Sequence, residues 1–158
     1  MLLLAFHFAL RLGEFTCSRH NLSFDQLVVE EDKVTLSFGS FKHSTGSQLK
    51  HVIRAVSSRH CVVSTLLHYL QLRGRSSGPF FVRDGKAVTP YFFQKNLKLL
   101  LKAGGLDKEK FSAHSLRIGA ASFWASLGLS EDVIKTLGRW TTDAVKRYIR
   151  CEVDHTVL

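Results

Sequence analysis

The stretch SAHSLRIGAASFWASLGLSEDVIKTLGRWTTDAVKRYIR, residues 112–150, decides the fold. It reads as three helices in succession. Ser112 caps the first, which continues to Leu127 and stops at Gly128. Ser130 caps the second, with Glu131 and Asp132 in the first turn where negative charge suits the macrodipole, and Gly138 ends it. Thr142 caps a third that carries Asp143 to Arg150. A hydroxyl residue just before each run supplies an acceptor for the unpaired N–H groups of the first turn.

Upstream, the same punctuation recurs. Thr89-Pro90 reads as an N-cap with proline at the first helical position, and that helix runs to Ala103 and ends at Gly104-Gly105. Val62, Leu66, Leu67 and Leu70 share one helical face, with Gly74 as the stop. Between them, Pro79 to Val88 forms a short excursion around an Asp84-Gly85 turn. Further back the period changes to two. Gln26 to Glu30 and Val34 to Phe38 read as strands joined at Glu31-Asp32-Lys33, and His51 to Ala55 returns as a third after a polar loop from Lys42 to Gln48. An apolar helix over Leu2 to Leu12 opens the chain. The fold class is therefore mainly α with one small antiparallel β-sheet (α+β), in a single domain over 1–150 with a short tail at 151–158.

Composition bounds what such a domain does. Of 158 residues, 45% are hydrophobic and 12 are Phe, enough for a core and incompatible with a disordered polycation. Lys and Arg number 22 against 13 Asp and Glu, a net charge of +9, with a pI near 9.8. Residues 61–110 carry 9 of the basic and only 3 of the acidic side chains, so the excess is concentrated in the middle of the chain. No run of basic residues longer than the pair Lys146-Arg147 occurs. The charge belongs to a folded face, for which a phosphate backbone is the natural partner and a merely basic surface the alternative.

Three cysteines are too few, and odd in number, for a disulfide framework, which points to a reducing, intracellular compartment. Cys17-x2-His20 and His60-Cys61 lack a second pair, so no zinc site is expected. The run Met1 to Leu10 is interrupted by His7 and followed by Arg11. It falls short of the ~20 apolar residues of a membrane span and lacks the basic lead of a signal peptide. The reading is a core helix cut near its start, in a chain that is a piece of something longer, with no membrane role.

Several residues carry chemistry. His114 and Arg117 are three apart in the first turn of their helix, where amide N–H groups and the dipole favour an anion. They form either a phosphate clamp or an exposed pair. Arg11 lies in an otherwise apolar helix three residues before Glu14, and is either a snorkelling boundary residue or held for a purpose. Lys42 stands where the second strand gives way to the loop. Tyr148, between Arg147 and Arg150, is either a half-buried aromatic or a phenol whose neighbouring cations favour its use as an oxygen nucleophile.

The ordered set Arg11, Lys42, His114-x-x-Arg117, Leu137-Gly138-Arg139 and Tyr148 resembles the catalytic domain of the tyrosine recombinases, the phage integrase family. The matching strings are Leu10-Arg11-Leu12-Gly13-Glu14, His114-Ser115-Leu116-Arg117, and Leu137-Gly138 followed by a tyrosine. Arg139 precedes Tyr148 by nine residues, the family's spacing. The likeness covers Leu3 to Arg150. Gly138-Arg139-Trp140 and Tyr148-Ile149-Arg150 are most similar to the recombinases of eukaryotic DIRS-type or Crypton-type mobile elements.

The resemblance implies DNA strand cleavage and rejoining, that is, site-specific recombination or integration of mobile DNA, through a covalent 3′-phosphotyrosine intermediate with no metal and no cofactor. Tyr148 would be the nucleophile, Arg11 and Arg117 the phosphate clamp, Lys42 the acid for the leaving 5′-oxygen, and His114 the partner in proton transfer. Arg139 would make the last phosphate contact, with Trp140 the competing candidate because the family usually has His or Trp directly after this glycine. Glu14 would orient Arg11 or its neighbours. These side chains must then converge on one cavity.

The implied partner is double-stranded DNA, bound by a tetramer of self-associated copies. The location would be nuclear in a eukaryote and otherwise cytoplasmic with the nucleoid. The family's N-terminal DNA-clamping domain has no counterpart in these residues, and only eight residues follow Arg150, so weak, strongly salt-dependent DNA binding is expected of this chain alone. The rivals are a non-enzymatic helix-turn-helix DNA-binding domain, suggested by Leu127-Gly128-Leu129-Ser130 between two helices, and a type IB topoisomerase-like enzyme.

Overall fold

The computed structural model describes residues 1–17, 21–38 and 49–149. Lys42, His20 and Arg150 lie outside the described residues. The elements are α1 (Leu2–His7), α2 (Leu12–Phe15), β1 (Leu27–Val29), β2 (Lys33–Phe38), β3 (Leu49–Arg54), α3 (Val62–Arg73), β4 (Val82–Arg83), β5 (Lys86–Ala87), α4 (Pro90–Ala103), α5 (Ala113–Ser126) and α6 (Glu131–Gly138). Short 3-10 turns occupy Phe24–Gln26 and Asp143–Arg147.

Alternation along the strands produces a sheet with one buried face. The order is β1-β2-β3, antiparallel throughout, with Leu27 opposite Leu36 and Leu36 opposite His51. Leu27, Val34, Leu36 and His51 point inward and are buried, whereas Val28 and Val52 on the other face are exposed. Strand β1 begins at Leu27 and not at Gln26, because the Gln26 carboxamide oxygen accepts the Ser23 amide at 2.9 Å and holds the preceding residues in a 3-10 turn. At Asp84-Gly85 both residues have positive φ, 51° and 73°, which closes the two-stranded β4–β5 hairpin in a primed turn.

The hydroxyl caps are in place. Thr89 Oγ1 accepts the Phe92 amide, Ser112 Oγ the His114 amide, Ser130 Oγ the Val133 amide and Thr142 Oγ1 the Ala144 amide. Helix α6 ends after Gly138 with Arg139, not a glycine, in the left-handed conformation.

Two expectations change. The opening helix does not run from Leu2 to Leu12. It stops at His7, Ala9 turns to φ 44°, and a separate one-turn helix starts at Leu12 with Arg11 as its extended N-cap. The break serves two hydrophobic cores at once. Phe8 and Leu10 enter the core beneath the sheet, α3 and α4, while Ala9 enters the second core with Ala120, Ala121, Trp124, Ile134 and Val145. A continuous helix places three successive side chains about 100° apart and cannot serve both cores in this way. The last predicted helix is likewise a 3-10 turn, Asp143–Arg147, with Tyr148 at its C-cap. The Tyr148 carbonyl, which a continuing helix would hand to an amide four residues on, instead accepts the Ser122 hydroxyl at 2.6 Å.

His51 is 6% exposed, lies against Phe8 and Phe38, and its Nε2 has no hydrogen-bond partner among the described residues. Burial, aided by the positive Arg139, pushes its pKa down to about 4. A histidine with a folded-state pKa below its unfolded value binds more protons when unfolded, so its stabilisation is full above about pH 6.5 and is lost as pH falls toward 4. Urea unfolding should show about 2 kcal/mol less stability at pH 5 than at pH 7 from this group. His51→Phe should flatten that dependence, and an unchanged slope in the variant would count against the assignment.

Candidate active site

Three guanidinium groups and one carboxylate gather where α1, α2, α5 and α6 meet. Arg117, on the second turn of α5, is 3% exposed. Its Nη1 donates to the Ala9 carbonyl and its Nη2 to the Gly138 carbonyl. Arg139 donates through Nη1 to the Phe8 carbonyl at 3.1 Å and through Nη2 to Glu14 Oε2 at 2.7 Å, with its guanidinium carbon 3.9 Å from the centre of the Phe38 ring. The acceptors freed by the helix break are therefore occupied by two arginines from the far end of the chain. A buried carbonyl needs such a partner, and a buried cation needs such acceptors.

Glu14 is shared. Its Oε2 also accepts the Arg11 amide at 2.7 Å, and its Oε1 accepts Arg11 Nη1 at 3.0 Å. Arg11 Nη2 reaches the Arg139 carbonyl at 3.3 Å, yet 54% of the Arg11 side chain remains exposed. One carboxylate thus serves two arginines. Burial pushes the Arg117 guanidinium down to about 9, and the positive Arg11 and Arg139 push the same way. Arginine keeps its proton at neutral pH, so Arg117 stays charged while buried, and among the described residues its hydrogen bonds go to carbonyls and to no carboxylate.

Beside it lies a cavity of about 360 Å³ lined by Leu10, Arg11, Leu12, Gln94, Ser112, Ala113, His114 and Arg117. His114 is exposed, and its ring meets that of Tyr148 edge-on with centroids 5.6 Å apart. The structure thus brings together Arg11, His114, Arg117 and Tyr148, with Glu14 behind them.

Arg139 is turned away, its side chain 3% exposed and bound to Glu14. Trp140 occupies the position facing the tyrosine. Its ring stacks 4.2 Å from the Arg117 guanidinium carbon and 6.0 Å from the Tyr148 ring. Gly138 makes that possible, because a Cβ there would lie 1.6 Å from the indole. Gln94 and Ser122 were not singled out by sequence. Their local patterns are those of ordinary helix residues, and only the chain's return from distant segments places them here.

No family model and no curated protein sequence matches the chain. Solved structures do. The chain is similar to XerH site-specific recombinase bound to its difH substrate in a pre-cleavage complex, with 15% identity, a TM-score of 0.69, and coverage of 95% of this chain and 41% of that one. It is similar also to XerH bound to palindromic difH in a post-cleavage complex, with 16% identity, a TM-score of 0.67, and coverage of 96% and 41%. The Tn1549 transposon integrase in complex with circular intermediate DNA matches with 12% identity, a TM-score of 0.62, and coverage of 95% and 52%. The chain spans about half or less of the length of these structures. It has the tyrosine recombinase catalytic-domain fold: mainly helical, with a small antiparallel sheet.

Two guanidinium groups lining one cavity would favour an anion there. Sulfate should raise Tm by roughly 2–4 °C, the equivalent of ~1 kcal/mol, relative to chloride at equal ionic strength, and Arg11→Ala should remove the difference. An equal response to both salts would show that no such site exists. Gly138→Ala should expel the indole, at a cost of about 1–3 kcal/mol. In a Trp124→Phe background the remaining Trp140 emission should then shift to the red, and an unmoved spectrum would contradict the close packing.

Proposed function

We propose that this chain is the catalytic domain of a tyrosine-type site-specific recombinase or integrase that cleaves and rejoins double-stranded DNA. The observation that carries the reading is the convergence of Arg11, His114 and Arg117, drawn from the two ends of the chain, on one cavity beside Tyr148. The fold likeness to recombinases solved on DNA supports it.

In this reading the Tyr148 oxygen attacks a backbone phosphorus. A tyrosyl P–O bond forms, the bond to the 5′-oxygen breaks, and the product is a 3′-phosphotyrosine and a 5′-hydroxyl. The phenolic proton passes to His114, whose ring lies against that of the tyrosine, and Lys42 protonates the departing 5′-oxygen. Negative charge gathers on the non-bridging oxygens as the five-coordinate phosphorus forms. Arg11, exposed and only partly matched by Glu14, meets that charge directly, while buried Arg117 supplies fixed positive potential at its back. Losing one such contact raises the barrier by about 3–4 kcal/mol, by analogy with oxyanion donors. Rejoining is the reverse, with the bond energy retained in the phosphotyrosine.

Trp140, and not Arg139, is the better candidate for the last phosphate contact, since its indole N–H is a donor beside Arg117 and Tyr148 while the Arg139 guanidinium is bound to Glu14. Arg139 then supports the clamp from behind. The strings Gly138-Arg139-Trp140 and Tyr148-Ile149-Arg150 favour a mobile-element enzyme of the DIRS or Crypton kind, working as a tetramer on DNA and, in a eukaryote, in the nucleus.

The test is incubation with a pool of nicked, sequence-randomised duplexes, which trap a covalent product by losing the short cleaved strand. An SDS-resistant protein–DNA adduct mapped by mass spectrometry to Tyr148 is expected. It should be absent in Tyr148→Phe and reduced about 10²–10³-fold in Arg11→Ala. A helix-turn-helix binder would shift the duplexes without any adduct, and relaxation of supercoiled plasmid without strand exchange would indicate a topoisomerase.

A further inference from the structure

We infer that Ser122 is the positioning residue that seats Tyr148 beside the cationic cavity of its own chain, an inference that rests on the catalytic reading above. Tyr148 stands at the end of a 3-10 turn of five residues, an element too short to fix a side chain by itself. The backbone bonds around it are local: the Tyr148 and Ile149 amides both donate to the Val145 carbonyl, at 2.8 and 3.1 Å. Val145 anchors the start of the segment, being fully buried in the second core. The end of the segment is tied across 26 residues by the Ser122 hydroxyl, which donates to the Tyr148 carbonyl at 2.6 Å.

Ser122 lies on α5, the helix that also carries His114 and Arg117. One helix therefore bears Arg117, His114 and the hook for the tyrosine backbone, while Arg11 faces the same cavity from the start of α2. The distance from the phenol to Arg117 and His114 becomes a property of α5. His114 and Trp140 flank the phenol ring at 5.6 and 6.0 Å and limit its rotation, but neither is bonded to its backbone. With the hook removed, the segment keeps its Val145 anchor and the apolar packing of Tyr148 and Ile149 against the second core, and loses the polar tie that sets the register of the reacting end. A misplacement on the scale of an ångström is enough to slow a positioned nucleophile severely.

The experiment compares the full chain with Ser122→Ala and Ser122→Thr in two measurements. Amide exchange over residues 145–149, followed by mass spectrometry, should accelerate about tenfold in Ser122→Ala and return toward the original rate in Ser122→Thr. With a saturating nicked-duplex pool, the first-order rate of adduct formation should fall about tenfold in Ser122→Ala, with duplex affinity unchanged, and recover in Ser122→Thr. Unchanged exchange, an unchanged adduct rate, or a rate loss matched by an equal loss of affinity would each overturn the proposal. If the parent chain forms no adduct, the catalytic reading fails, and exchange alone then judges the seat. Mixing Arg11→Ala with Tyr148→Phe should not restore the adduct, because each cavity uses its own tyrosine; restoration would overturn seating within one chain.

Discussion

The rest of the structure depends on two backbone carbonyls, those of Phe8 and Ala9, and on the arginines that take them. The opening helix breaks there so that successive residues can enter two different cores. The break leaves acceptors in the buried interior, and each such group costs free energy unless it is paired. Arg117 and Arg139 pair them from more than a hundred residues away. In doing so they tie α1 to α5 and to the end of α6, which is the framework that defines the cavity. Packing, backbone satisfaction and charge placement are here a single event.

Electrostatically, the three arginines differ. Arg139 is buried against the Glu14 carboxylate. Arg11 shares that carboxylate and faces outward. Arg117 has carbonyls and an indole face but no anion within hydrogen-bonding distance among its described partners. Carbonyl dipoles and a π face stabilise a guanidinium without cancelling its charge. The protein thus spends folding free energy to present a positive potential, a pattern characteristic of sites whose missing charge is supplied by a ligand. The tyrosine end is arranged on the same helix. Gly138 leaves space for Trp140, Trp140 covers Arg117, and the serine hydroxyl on α5 holds the Tyr148 carbonyl.

Much of this was legible before any coordinates. The four glycine-stopped helices between Val62 and Gly138 became elements within a residue or two of where they were expected, because capping is a local transaction between side chains and backbone groups a few positions away. The strands were equally readable from period two. The opening segment was not. Its apolar run satisfies a helical pattern throughout, and nothing local announces that Ala9 must turn to positive φ. The Asp143 to Arg150 segment failed similarly, since its shortening reflects a hydroxyl on another helix.

Sequence by itself determined most of the elements, the sidedness of the sheet, and, through the resemblance to the tyrosine recombinases, a set of residues, Arg11, Glu14, His114, Arg117 and Tyr148, expected to converge. Tertiary structure alone decided how they divide the work: that Glu14 binds Arg139 as well as Arg11, that Trp140 and not the Arg139 guanidinium faces the tyrosine, and that Ser122 holds it. The physical reason is range. Caps and periodicity act over a few residues along the chain, whereas the pairing of a buried cation depends on which carbonyls and carboxylates the folded backbone happens to bring within 3 Å, and that distance exists only after both cores have closed.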